Sequence, residues 1–77
     1  MRDNNVQSVA RAIDLINIVA SHPQGVTIGR LAEESSLHKS TVSRLVMTLE
    51  TAGALKRDDK RASITISPEF GIYMMFR

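Results

Sequence analysis

Apolar residues in the first third of the chain follow one another at helical spacing. Val9, Ala10, Ile13, Ile16, Val19 and Ala20 fall on one seam, as the 3.6-residue period of an α-helix requires. Ser8 stands where an N-cap belongs, and Pro23 and Gly25 close the pattern. The spacing therefore predicts a helix from about residue 7 to about residue 21. Ala12, Leu15 and Ile18 lie off this seam and widen the apolar stripe. A stripe wider than about 100° calls for more than one packing partner, either a second chain or the C-terminal segment folding back.

Thr27 is placed to cap a second, short helix, with Ile28, Leu31 and Ala32 inward, Glu33 and Glu34 outward, and an end near Ser35. The connection through Ser35, Ser36 and Leu37 is tight, with Leu37 as its anchor in the core. Two short helices joined this closely form a helix-turn-helix. A third helix is predicted from about Lys39 to about Ala52, with His38 at or near its cap and Gly53 at the C′ position. Its stripe is Val42, Leu45, Val46 and Leu49. Beyond it, ALKR and ASITIS read as two short strands around the polar connection DDKR. Ile64 and Ile66 alternate there with Ser63, Thr65 and Ser67, the period of a half-buried strand. Ser67 followed by Pro68 and Glu69 starts a fourth helix, apolar through Phe70, Ile72, Tyr73, Met74, Met75 and Phe76. The order predicts a mainly α fold with a small β-hairpin: a winged helix-turn-helix, with residues 1–66 as the domain and 67–77 as the start of a linker helix.

Composition narrows this picture. The 77 residues have room for one modest core, and aromatics make up only 4% of them, so that core must be aliphatic. There is no cysteine, which excludes disulfides, thiolate metal sites and cysteine nucleophiles. No apolar run approaches the roughly 20 residues that cross a bilayer, and the polar N-terminus has no signal-peptide core. A soluble, cytoplasmic protein is expected, with no membrane partner. His22 and His38 lie far apart, without carboxylate or cysteine partners at ligand spacing, so neither an enzyme nor a bound metal or cofactor is expected.

Charge changes the picture more. Between His38 and Arg61, Lys39, Arg44, Lys56, Arg57, Lys60 and Arg61 outweigh Glu50, Asp58 and Asp59 by +3, whereas the rest of the chain sums to −1. A cationic stretch is the footprint of a polyanion partner. The third helix lies within it and has an unusual outer side. Ser40, Arg44, Met47 and Thr51 oppose the apolar stripe, with Ser43 and Thr48 on the flanks. An outside chosen for helix stability would favour Glu, Lys, Gln and Ala. Short hydroxylated side chains instead let a helix approach a surface closely and hydrogen-bond phosphates or base edges. Free N–H groups at Lys39, Ser40 and Thr41 favour a phosphate, and Arg44 has the reach to grip a guanine edge. Met47 either meets a thymine methyl or covers the edge of the core. The wing offers Lys56, Arg57, Lys60 and Arg61, as a DNA contact or as a solubilising turn balanced by Asp58 and Asp59.

The runs SVARAIDLINIVA and VTIGRLAEESSLHKSTVSRLVMTLETAGALKRD resemble the N-terminal DNA-binding domain of the IclR family of bacterial transcription regulators. Ser8-Val9 with Arg11-Ala12, and Lys39 through Leu45, carry the likeness most specifically, and Leu49 and Gly53 complete it. The resemblance spans about residues 6 to 59. It implies a winged helix dimerising partly through its first helix on palindromic operator DNA, as a repressor or activator. Family members usually end the second wing strand with a Tyr-x-Leu-Gly-like sequence, where this chain has SITISPEF. The family's C-terminal effector-binding domain is not expected within this chain, which is then either a piece of a longer protein, as the apolar end GIYMMFR favours, or a short stand-alone member. An effector ligand is relevant only to a longer protein containing that domain. The expected function is sequence-specific binding of double-stranded DNA by a homodimer; the alternative is a protein-docking winged helix. Ser40, Thr41, Ser43 and Arg44 are assigned to base edges or nearby phosphates. Lys39, Thr48, Arg57, Lys60, Arg61 and, more peripherally, Arg11 are assigned to the backbone.

Overall fold

The computed structural model describes residues 7–75. Its elements run α1 (Gln7–Ala20), α2 (Ile28–Ser35), α3 (Lys39–Thr51), β1 (Leu55–Asp58), β2 (Ser63–Ile66) and α4 (Pro68–Met75). Three helices followed by a two-stranded antiparallel hairpin make a winged helix-turn-helix. The side chains of the apolar run from Tyr73 to Phe76 lie outside the described part of the structure.

Nearly every element contributes to one aliphatic core. Leu15 and Val19 of α1, Leu31 of α2, Val42 and Val46 of α3, Leu55 of β1 and Ile64 of β2 are buried together with Val26. Removing each such side chain from water contributes about 1.5–3 kcal/mol. The core settles which side of α1 faces inward. Leu15 and Val19 are fully buried, with Ile18 packed against them, whereas Val9 and Ile13 are 56% and 52% exposed. The inward face is thus the one reached through Leu15, and most of the expected seam turns out to be the second, outward stripe. Both stripes have helical spacing, so periodicity alone could not rank them. Ser8 is also not the N-cap, because α1 already includes Gln7.

Local chemistry explains the turn between α2 and α3. The Thr27 hydroxyl accepts the Arg30 N–H at 3.1 Å and caps α2. Ser36 adopts a left-handed conformation (φ 61°), and its N–H returns to the carbonyls of Ala32 and Glu33. Leu37 follows, packed against the core as its place in the turn requires. At the far end of α3, Gly53 has φ 87° and the Ala54 N–H reaches back to the Leu49 carbonyl at 2.8 Å, which closes the helix.

The wing pairs Leu55 with Ile66 and Asp58 with Ser63 at its two ends. Its turn is organised by Asp58, whose carboxylate accepts the Lys60 N–H at 3.0 Å and whose carbonyl accepts the Arg61 N–H at 3.2 Å. Ala62 completes the turn in the left-handed region (φ 52°). The free edge of β2 is met by Val26, through Val26 N–H to the Ile64 carbonyl at 3.0 Å and Ile64 N–H to the Val26 carbonyl at 2.7 Å. Gly25, at φ 108°, brings the chain so close that a Cβ there would lie 2.9 Å from the Ser63 Cβ. The hairpin is thereby bonded to the segment leading into α2. On its other side, the Ser67 N–H bonds the Ala54 carbonyl at 3.0 Å, which holds the start of α4 to the connection between α3 and β1.

Candidate nucleic-acid interface

Burial orients α3. With Val42 and Val46 fully buried and Leu45 and Leu49 packed beside them, the helix presents Ser40, Arg44, Met47 and Thr51 to solvent, all exposed. Thr41 and Ser43 sit half-buried on opposite flanks. Met47 is 61% exposed and takes no part in the core, so its role as a core-edge cover is excluded. The side chains of Ser40, Thr41 and Ser43 have no hydrogen-bond partner among the described residues. Thr48 differs. Its hydroxyl donates to the Arg44 carbonyl at 3.0 Å, so it reaches a phosphate as a donor only by releasing that bond.

The N-terminus of α3 is electrostatically open. His38 occupies the N-cap position as expected, but its side chain makes no capping hydrogen bond. The first-turn N–H groups are left for solvent or an anion, at the positive end of the helix dipole. α2 contrasts with it, since Thr27 already engages its end. Lys39 is exposed at this opening, and its Cε lies 3.7 Å from where a Cβ on Gly29 would stand. A glycine in α2 leaves room for that stem.

Ion pairing divides the cations. Arg57 reaches from β1 to Glu50 of α3 at 3.0 Å, and Arg61 lies 4.0 Å from Asp58. Arg30 bonds Glu34 at 2.7 Å within α2. Lys39, Arg44, Lys56, Lys60 and Arg11 have no carboxylate within 4.0 Å among the described residues. Part of the wing's positive charge is therefore already paired within the chain. Asp58 shapes the turn, and the free charge at the tip belongs mainly to Lys60. Sequence spacing could not foresee the Arg57–Glu50 pair, which forms only because the chain reverses at Gly53.

His22 has a structural partner: its Nε2 lies 3.1 Å from a Glu34 oxygen. The hydrogen bond to His22, followed by that from Arg30, holds the Glu34 carboxyl below the usual glutamate range. Among the described residues no group of three or more His, Cys, Asp or Glu could hold a metal ion, and no helix is long and apolar enough to cross a membrane.

One grouping was not legible in the sequence. Ser8 and Arg11 of α1 line a shallow groove with Thr41, Arg44, Leu45 and Thr48 of α3. The candidate backbone contact on the first helix thus adjoins the flank of α3.

Residues 8–59 match the IclR helix-turn-helix domain. The HTH-type transcriptional regulator Rv1719 of Mycobacterium tuberculosis is 31% identical over 88% of this chain and 26% of its own length. The DNA-binding transcriptional repressor YiaJ of Escherichia coli is 33% identical over 83% of this chain and 23% of its own. The crystal structure of an IclR family transcriptional regulator from Brucella abortus superposes on 97% of the chain and 28% of that protein with a TM-score of 0.78, at 23% identity. The chain spans about a quarter of the length of these relatives, which are regulators of transcription rather than enzymes.

Proposed function

The chain belongs to the IclR helix-turn-helix family, and from that premise we propose that it binds double-stranded DNA sequence-specifically, as a homodimer on a palindromic operator, to regulate transcription. The observation that carries this reading is the outer side of α3, where Ser40, Arg44 and Met47 are exposed beside an uncapped helix N-terminus. Helix-turn-helix proteins lay such a helix in the major groove, and dimers address half-sites about one helical turn apart. Ser40, Thr41, Ser43 and Arg44 act at base edges or adjoining phosphates. Met47 meets a thymine methyl, the apolar feature of the major groove. Lys39, Lys60, Arg61 and Arg11 hold the backbone. Arg57 and Thr48 join them by exchanging their bonds to Glu50 and the Arg44 carbonyl for phosphate contacts. Residues 1–66 form the DNA-binding unit, and residues 67–77 form the start of a linker helix. It works in the cytoplasm, on the nucleoid.

Support for the dimer comes from α1. Val9 and Ile13 stand one turn apart on its outward stripe, both more than half exposed, and a second copy would cover them. They equally suit a different protein as partner, the competing reading. Selection of duplexes from a random library by the chain separates the two. Enrichment of a symmetric pair of half-sites supports the proposal, whereas no duplex retention even at low salt refutes it. Arg44→Ala is expected to cost about 1–3 kcal/mol on the selected site and to relax preference at one base pair per half-site. A uniform loss across all sequences would remove Arg44 from base reading.

A further inference from the structure

The groove between α1 and α3 has the makings of an anion site. On a helix with about 100° between residues, Ser8 and Arg11 fall on the same side as Leu15, the side that packs inward. At the N-terminal end of that stripe the apolar residues give way to a hydroxyl and a guanidinium, which overhang the flank of α3. There they meet Thr41 and Arg44, with Leu45 and Thr48 completing the lining. Among the described residues none of those lining it is acidic.

Ion pairing supplies a second, independent observation. Of the five described arginines, Arg30, Arg57 and Arg61 each have a carboxylate within 4.0 Å. The two without one are Arg11 and Arg44, both in this groove. Two guanidiniums sharing a groove, with no described carboxylate within 4.0 Å of either, repel each other, and an anion between them reverses the sign of that interaction. Guanidinium forks and short hydroxyls match the tetrahedral oxygens of phosphate.

We propose that this groove seats one DNA backbone phosphate, with Arg11 as its principal cation and Ser8 and Thr41 as hydroxyl donors. This rests on the DNA-binding reading and deepens it, because it gives the Arg11 backbone contact a defined seat shared between α1 and α3. Arg44 is exposed at the groove's rim and extends from there to the base edge. The bound phosphate lies against the flank of α3 and sets how far the helix enters the groove. The two functions divide accordingly: Arg11 acts on affinity irrespective of sequence, and Arg44 on preference.

Salt titration of the full chain on a mixed-sequence duplex tests this, with wild type, Arg11→Gln and Arg11→Lys compared and folding checked by circular dichroism. Loss of one phosphate contact should reduce the log–log salt slope by about 0.9 in Arg11→Gln. Arg11→Lys, which keeps the charge, should retain most of it. The preference for a selected site over the mixed duplex should stay unchanged. A scan of single methylphosphonate substitutions on the selected site should then find one position per half-site where Arg11→Gln causes no further loss. An Arg11→Gln slope equal to wild type overturns the phosphate seat while leaving the DNA reading intact. So does a scan in which the variant weakens binding equally at every methylphosphonate position. Failure of wild type to bind any duplex overturns both.

Discussion

Replacement of Gly25 by alanine probes how the wing is attached. Gly25 and Gly53 both have positive φ, 108° and 87°, where a Cβ is strained whatever surrounds it. This backbone term costs about 1–2 kcal/mol. The surroundings then separate the two sites. A Cβ at Gly53 meets nothing within 4 Å, whereas at Gly25 it stands 2.9 Å from both Cβ and Oγ of Ser63. The hydroxyl rotates away, but the Ser63 Cβ is fixed to a strand whose next residue, Ile64, is bonded to Val26. Overpacking of this kind adds about 1–3 kcal/mol. Gly53→Ala should therefore lose about 1–2 kcal/mol and Gly25→Ala about 2–5, out of a total near 4–11 for a chain of this size. Urea denaturation with a common m-value measures both. Ser63→Gly removes the obstructing atoms, so the double variant with Gly25→Ala should recover a coupling of about 0.5–3 kcal/mol. Equal losses at the two glycines, or a cycle that closes at zero, would refute the close approach of the residue 25 segment to β2.

Glu34 gives the chain an acid-sensitive contact. Its carboxyl is held below the usual range in the folded state by His22 and Arg30, so its stabilisation is present above the ordinary glutamate pKa and disappears as pH falls through the lowered one. Denaturation midpoints should decline below about pH 4.3 in wild type, and this part of the decline should be missing in Glu34→Gln. Neutralising Lys60 and Arg61 should weaken binding to every duplex alike and flatten the salt slope by about 0.9 for each phosphate released; an unchanged slope would take the wing tip off the DNA. Replacing thymine by uracil at one position per half-site should cost wild type about 0.8 kcal/mol, the value of one methyl group, and cost Met47→Ala nothing. Equal losses for both proteins would end the thymine assignment.

The parts legible in the sequence are those set by local chemistry. Thr27 as a cap, Gly53 as a stop and Pro68 at the first turn of a helix each depend on a few neighbouring residues, and each sits where its chemistry requires. The stripe of α3 was equally readable, because Val42, Leu45, Val46 and Leu49 have no competing apolar face. On α1 two stripes of similar character compete, and only the arrival of α2, α3 and β2 decides that Leu15 goes in while Ile13 stays out. The bridge between Val26 and Ile64 was invisible for a related reason. A single bonded pair has no periodicity, and Gly25 before it reads only as a helix stop. In the candidate interface, the exposed face of α3 followed from spacing, but the ion pairing of the wing did not. Arg57 and Glu50 are brought together by a chain reversal. The grouping of Ser8 and Arg11 with Thr41 and Arg44 likewise depends on how α1 crosses α3.

The hydrogen bond from Ser67 to the Ala54 carbonyl has a mechanical consequence. It ties the first residue before α4 to the short hinge at which the chain leaves α3 and enters the wing. Ala54 and Ser67 are both buried, so this tether has little slack. A torque on α4 would therefore be delivered first to the joint between α3 and the wing, rather than dissipated in a loose connection. Twisting α4 would change the angle between those two elements, and with it the distance from the exposed face of α3 to the wing tip.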